Sequence, residues 1–283
     1  MPLELTAISS NYEIGVIRRI KFLTQGKSTK TWKIETENEA YIMKTLPIKE
    51  SANFAYNISL HILQTYPNLT SEFLLSKNNT PYLLMNDTYY SVQSFITHKD
   101  STIQLEDVLS DYNLLRNKLA SFSSEFEPNN RFTLSKLWKE SSLYLLNTHL
   151  NLYKHVSKDL ETLLELDSQR DTWIHGDLGS WNMLQRPDGS MSFIDFDEAR
   201  VGPRYLDLAA IYSSFIKNDE QRYLQGYTEA FLEQMSEETN QKELLMTIKL
   251  WILKGLLTSA KTNNQAVKHF YHIYQFIDSF NSK

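Results

Sequence analysis

The spacing of apolar positions changes near residue 97. Before it lie short runs of β-branched and aromatic residues bounded by turn formers. Ile17 to Leu23, Thr31 to Glu35, Tyr41 to Leu46, Phe73 to Ser76, Tyr82 to Met85 and Tyr89 to Ile96 are expected strands. One helix interrupts them: Phe54, Ile58, His61, Ile62 and Tyr66 fall at helical spacing over Asn53 to Tyr66, and Pro67 closes it. Beyond Thr97 the stripe Leu105, Val108, Leu109, Tyr112, Leu115, Leu119, Phe122 marks an amphipathic helix. Further helices are expected over Leu134 to Tyr153, His155 to Leu166, Gln221 to Glu233, Lys242 to Ser259 and Gln265 to Phe280. Asp207, before Leu208-Ala209-Ala210-Ile211, is an expected helix N-cap. The pattern is α+β, with a sheet-rich part over residues 1–95 and a larger, mostly helical part over 96–283.

The segment from Ile174 to Ala210 breaks the helical run. It carries His175, Asp177, Asn182, Asp195, Asp197 and Asp207 among short apolar strings and turn residues. Asp188-Gly189 is the strongest hairpin-turn dipeptide of the chain. A two-residue turn there pairs Gln185 with Ser192, Met183 with Ile194 and Asn182 with Asp195. An amide and a carboxylate facing each other across a ladder can share a hard cation such as Mg²⁺. A surface hairpin with scattered polar residues is the alternative at this point.

Lys44 falls in the third expected strand, on the face of Ile42 and Leu46. An ammonium between inward apolar neighbours needs a compensating anion, unless it snorkels to water from an edge strand. Gly26-Lys27-Ser28 is not a P-loop: the glycine required five positions earlier is Lys21, and no helical pattern follows. A tight hairpin at Gly26 whose amides lie over phosphates remains open.

Composition narrows the classes. Among 283 residues, 41% are hydrophobic and 12% aromatic, enough for a sizeable core. A net charge of −5 offers no basic field, so neither nucleic acid nor membrane is an expected partner. With no cysteine, disulfides, thiolate catalysis and Cys-based zinc sites are excluded. The first residues lack the basic and long apolar regions of a signal peptide, and Leu244 to Leu257 is interrupted by Lys249 and Lys254. A cytoplasmic protein is expected. His269 and His272 share a helix with no further ligand nearby in sequence, and are expected to be structural.

His175-Gly176-Asp177, Asn182, Ile194-Asp195-Phe196-Asp197 and Asp207-Leu208-Ala209, in that order and spacing, resemble the aminoglycoside phosphotransferase and choline kinase-like superfamily. The tail is similar to CotS-like and homoserine-kinase-like members as much as to antibiotic kinases. The resemblance implies a bilobal protein-kinase-like fold and an ATP- and Mg²⁺-dependent phosphotransferase acting on a hydroxyl of a small molecule. The acceptor classes are an aminoglycoside, amino alcohol, amino sugar or hydroxy amino acid. It implies Asp177 as catalytic base, Asn182 and Asp195 as metal ligands and Lys44 as the lysine on the nucleotide phosphates. Gln93, Ser94, Phe95 and Ile96 would form the adenine hinge. His175 and Asp207 would hold the catalytic loop, and Asp197 would be a substrate or supporting carboxylate.

One departure stands out. The lysine of this family usually pairs with an acid on the following helix, and Asn53 to Tyr66 holds neither Asp nor Glu. Glu50 just before it is the nearest substitute. A catalytically silent kinase-like binding or structural protein is therefore the alternative, and a carboxylate-pair hydrolase using Asp177 and Asp195 a more distant one. Asp177, Asp195, Asp197 and Glu198 would suit a cationic acceptor, while Tyr205, Tyr212 and Trp251 could line its pocket or belong to the core.

Overall fold

The computed structural model describes residues 2–23, 29–99, 102–128, 130–235 and 239–281, so the expected phosphate loop at Gly26 lies outside the described residues. In chain order the elements are α1 (Pro2–Tyr12), β1 (Ile17–Leu23), β2 (Thr31–Thr36), β3 (Ala40–Leu46), α2 (Lys49–Leu63), β4 (Leu83–Met85), β5 (Thr88–Ser94) and α3 (Leu105–Ala120). Then come α4 (Leu134–Thr148), α5 (Leu150–Val156), α6 (Leu160–Asp167), β6 (Thr172–Ile174), β7 (Met183–Gln185), β8 (Met191–Phe193) and β9 (Arg200–Gly202). The chain closes with α7 (Leu206–Ser214), α8 (Gln221–Gln234), α9 (Gln241–Ser259) and α10 (Asn264–Asn281). Among the described residues no helix is long and apolar enough to cross a membrane.

Two compact units emerge: residues 1–128 with 182–197, and residues 129–181 with 198–283. The first is built on an antiparallel sheet of order β1-β2-β3-β5-β4. Side chains alternate across a strand, and β3 uses both of its faces. Tyr41 and Met43 join Ile34, Val92, Ile8, Tyr12 and Ile14 in one buried cluster. Helix α1 was not expected, because Ile8 and Tyr12 are its only buried side chains among those described, too few to register as a stripe. On β3 and β5 packs α2, through a face of Ala52, Phe54, Ala55, Ile58 and Ile62. It begins at Lys49, four residues before the expected Asn53, so Glu50 lies in its first turn. Phe73 makes only an isolated bridge to Gln93 where a strand was expected.

The hairpin β7–β8 also belongs to this unit, and its register corrects the expected one. Met183 pairs with Phe193, Leu184 with Ser192 and Gln185 with Met191. The loop has three residues, not two: Arg186 N–H donates to Ser190 O (2.8 Å), Gly189 N–H to Arg186 O (3.0 Å), and Gly189 sits at φ +96°. That is the geometry of a turn closed by a left-handed glycine, with one extra residue in the connection. Asp188 caps it by accepting from the N–H (3.0 Å) and hydroxyl (2.7 Å) of Ser190. Asn182 therefore lies opposite Ile194, whose N–H donates to Asn182 O (3.0 Å), and not opposite Asp195. Strand β8 is tied down by Phe193 N–H to Leu69 O (2.8 Å) and by Met191 N–H to the Asp111 carboxylate (2.6 Å).

The second unit is helical apart from the pair β6–β9. Helix α9 is its axis, in contact with α4, α6, α7 and α10 and buried from Leu244 through Leu257 at most positions. The expected helix over Leu134 to Tyr153 is broken at His149, whose backbone (φ −137°, ψ 54°) is not helical. Tyr205 and Tyr212 are core residues, 5% and 0% exposed, with Tyr212 Oη and Thr228 Oγ1 sharing a hydrogen bond of 2.7 Å. His269 and His272 face Asp219 at 3.2 and 3.8 Å, and no group of three or more metal-binding side chains occurs among the described residues.

Candidate active site

In the first unit the sheet carries a buried charge. Lys44, on β3 between Thr31 and Ser91 of the flanking strands, is 7% exposed. Its Nζ donates to Asp195 Oδ1 (2.7 Å) and Asp197 Oδ2 (2.6 Å). Burial works against this ammonium, but the charges of Asp197 and then Asp195 more than offset it, and its pKa is raised. An ammonium has three donors, so one remains beyond the two carboxylates.

Asp195 follows β8 with φ +67°, a left-handed backbone that costs an L-residue about 1 kcal/mol and that Asp tolerates better than most. The short 3₁₀ turn Phe196–Glu198 follows, with Phe196 buried at 5%. This turn brings two carboxylates separated by one residue onto a single ammonium. Asn182 ends another 3₁₀ turn, Ser180–Asn182, and is buried at 5%. Its backbone oxygen holds Ile194 N–H, which places its residue beside the start of the Asp195 kink. An amide and a carboxylate oxygen are hard donors of the kind that Mg²⁺ takes. These donor types suit a divalent cation, but the expected cross-strand pairing of Asn182 with Asp195 is not what brings them near one another.

Of the expected hinge, Gln93 and Ser94 end β5, and Phe95 and Ile96 follow it. Gln93 Oε1 accepts from Ser71 Oγ (2.7 Å), Ser94 N–H donates to Glu72 O (2.8 Å), and Phe95 N–H donates to Ala40 O (3.1 Å). Glu50 does not reach Lys44: it is half-exposed and lies 3.9 Å from Lys49.

In the second unit a separate set is locked around His175-Gly176-Asp177. Asp207 is not an N-cap; it sits inside the first turn of α7. Its two oxygens accept the N–H groups of His175 (2.7 Å) and Gly176 (2.9 Å). Burial pushes its carboxyl pKa up, opposed by His175 and by those two N–H groups. Gly176 is at φ +82°, and a Cβ there would strike the Glu198 carbonyl and the Arg200 guanidinium. Arg200 Nη1 in turn donates to Glu198 O (2.9 Å). These contacts fix the turn that presents Asp177, which is half-buried.

Trp181, 61% exposed, lays its ring against Gly179 and points its indole N–H at Asp177 Oδ2 (3.3 Å). Glu198, 5% exposed, is bound by Arg131, whose Nε donates to Oε1 at 2.6 Å. Burial pushes the Glu198 carboxyl pKa up and Arg131 opposes the shift. Arg131, Arg200 and Trp181 were not singled out in the sequence. Trp181 alone had a local signal, as a tryptophan four residues after a catalytic-type aspartate.

The match to a family model decides the class. It is the model described as the phosphotransferase enzyme family, and it covers residues 19–240. The chain belongs to that family. Solved structures of similar fold agree in architecture. One is an aminoglycoside phosphotransferase from Alicyclobacillus acidocaldarius (16% identity, TM-score 0.66, 98% of this chain and 94% of that one). Another is a spectinomycin phosphotransferase in complex with ADP and spectinomycin (13%, 0.63, 98% and 96%). A third is a microcompartment-associated aminopropanol kinase (14%, 0.64, 98% and 95%). At these identities they establish the protein-kinase-like fold, a small antiparallel sheet with a larger helical part. No curated protein matches the sequence.

Proposed function

We propose that this family member is an ATP:small-molecule O-phosphotransferase using Mg²⁺. The observation that carries the reading is the buried Lys44 ammonium held by Asp195, the residue named as a metal ligand on other grounds. Isolated ion burial costs several kcal/mol, and the strand neighbours of Lys44, Thr31 and Ser91, are uncharged. A ready cation beside a hard-oxygen donor is what nucleotide phosphates require. Solved relatives of the same fold with ADP, AMP-PNP and Ca²⁺, or GDP bound support a nucleotide and a divalent ion as cofactors.

Asn182 and Asp195 would hold the ion, whose chemistry is to neutralise and orient phosphate oxygens. Lys44 directs its remaining N–H toward the nucleotide phosphates. Asp177 accepts the proton of the acceptor hydroxyl, with its turn held by Asp207 so that the carboxylate need not reorganise during transfer. Gln93 to Ile96 would meet the adenine through backbone groups. The acceptor is a small hydroxyl compound, of the amino alcohol, amino sugar, aminoglycoside or hydroxy amino acid classes. Trp181 lies beside the base.

The test is two-part. Addition of ATP with Mg²⁺ should raise the melting temperature, and a panel of those acceptors should reveal one that drives ADP release. Asp177→Ala should keep the thermal shift and lose turnover by about 10²-fold or more. Absence of any shift at millimolar nucleotide overturns the reading.

A further inference from the structure

Lys44 poses a question that the helix next to it does not answer. Helix α2 presents Ala52, Phe54, Ala55, Ser59, Ile58 and Ile62 as its buried face, and its sole acid, Glu50, is turned to Lys49. Among the described residues, Lys44 is met by Asp195 and Asp197 and by no carboxylate of α2.

The two aspartates are not equivalent. Asp195 is the more open, its side chain 43% exposed, and is the metal ligand of the scheme above. Asp197 is more enclosed at 24% and makes the shorter contact, 2.6 Å. Once Asp195 gives its lone pairs to a divalent cation, its attraction for a neighbouring ammonium is largely spent and the ion itself repels Lys44. One anion must then keep the buried lysine aimed.

We propose that Asp197 is the positioning residue of Lys44, supplying from the 3₁₀ turn after β8 the carboxylate that α2 lacks. This rests on the phosphotransferase reading above and deepens it. It also accounts for the 3₁₀ turn: Phe196, buried between the two aspartates, anchors the turn that delivers both carboxylates to one nitrogen. The lysine is thereby coupled to the segment that follows β8.

The experiment compares Asp197→Asn, Asp197→Glu and Glu50→Gln with the parent. Three quantities are read: the Kd for ATP at saturating Mg²⁺, the Mg²⁺ concentration giving half the ATP-dependent thermal shift, and the extent of Lys44 acetylation by a limiting acylating reagent, followed by peptide mass spectrometry. Loss of an outer partner of a binding group weakens binding by about 10–100-fold. Asp197→Asn should weaken ATP by that factor, leave the Mg²⁺ midpoint within about twofold and increase Lys44 acetylation. Asp197→Glu should restore most of the affinity, and Glu50→Gln should change nothing. Two results overturn the proposal: an unchanged ATP Kd in Asp197→Asn, or a shifted Mg²⁺ midpoint with ATP affinity kept at saturating metal, which makes Asp197 a metal ligand. If the parent shows no nucleotide response, the phosphotransferase reading fails by itself. Lys44 acetylation then decides the positioning claim, and equal acetylation in parent and Asp197→Asn overturns it.

Discussion

Two buried lysines, one in each unit, show how the same residue is put to different use. Lys44 in β3 and Lys254 in α9 are 7% and 5% exposed. Lys44 meets two carboxylates, and its pKa is raised despite burial. Lys254 meets one, Asp167, which is itself buried and already accepts Leu134 N–H at 2.6 Å. Burial dominates there, Asp167 offsets it only in part, Arg200 adds repulsion, and the Lys254 pKa is lowered. One shared carboxylate does not balance the desolvation of a buried ammonium, whereas two do. The first arrangement ties the start of α4 and the end of α6 to α9. The second holds a charged lysine in the sheet between two carboxylates of the segment that follows β8.

Backbone strain separates them as well. Asp195 sits at φ +67°, while Asp167 lies in ordinary helix. A third lysine, Lys249, also meets two aspartates, Asp159 (2.8 Å) and Asp278 (2.5 Å), without left-handed backbone at either. There Tyr274 Oη donates to the same Asp159 oxygen that Lys249 meets (2.8 Å), and His155 Nε2 meets the other oxygen of Asp278 (3.0 Å). Paired aspartates around a lysine are thus no mark of function alone. The strained aspartate is the distinguishing feature, as expected where geometry serves chemistry and not packing.

The largest way to break the contrast is Lys44→Met. It should abolish the ATP-dependent thermal shift and lower turnover by about 10²-fold or more, while Lys254→Met leaves both intact in whatever fraction folds. On stability the order reverses. Removing Asp167 as Asp167→Ala strands a buried ammonium and a buried N–H together, at about 3–5 kcal/mol. Lys254→Met leaves Asp167 one donor and should cost less, about 1–3 kcal/mol, in denaturant unfolding.

A finer test uses pH. The folded-state pKa of Lys254 lies below its unfolded value of about 10.4, so within that window the unfolded chain binds more protons and the contribution of Lys254 to stability rises with pH. The difference in unfolding free energy between parent and Lys254→Met should therefore grow as pH is raised toward about 10.4. A difference that shrinks would show that Asp167 outweighs burial after all. Comparable in scale to Lys254→Met, Asp207→Asn should lose one backbone acceptor at the turn that presents Asp177, about 1–3 kcal/mol, with ATP binding retained and turnover reduced.

Much of this site was legible in the chain. The residue types and spacing of His175-Gly176-Asp177, Asn182, Asp195, Asp197 and Asp207 are local facts, and the strand that holds Lys44 follows from period-two alternation. The misreadings have specific causes. A dipeptide turn signal does not distinguish a two-residue loop from a three-residue one, because Gly189 adopts left-handed φ in both; a one-residue slip then exchanges every facing pair. Asp207 looks like an N-cap because aspartate before an apolar run usually is one. Its actual partners, the N–H groups of His175 and Gly176, come from just past a strand end, 32 and 31 residues earlier. The start of α2 was placed late because Lys49, Glu50 and Ser51 carry no apolar stripe.

What the sequence alone determined is the order and kind of the elements and the inventory of chemical groups, because periodicity and local turn chemistry act over a few residues. Only the tertiary structure decided which anions serve which cations: Asp195 and Asp197 for Lys44, Asp167 for Lys254, Asp159 and Asp278 for Lys249. Ion pairing is set by distance and burial, and the partners of Lys44 lie 151 and 153 residues away along the chain. No local pattern encodes a separation of that length; the fold of the β7–β8 hairpin against the sheet supplies it.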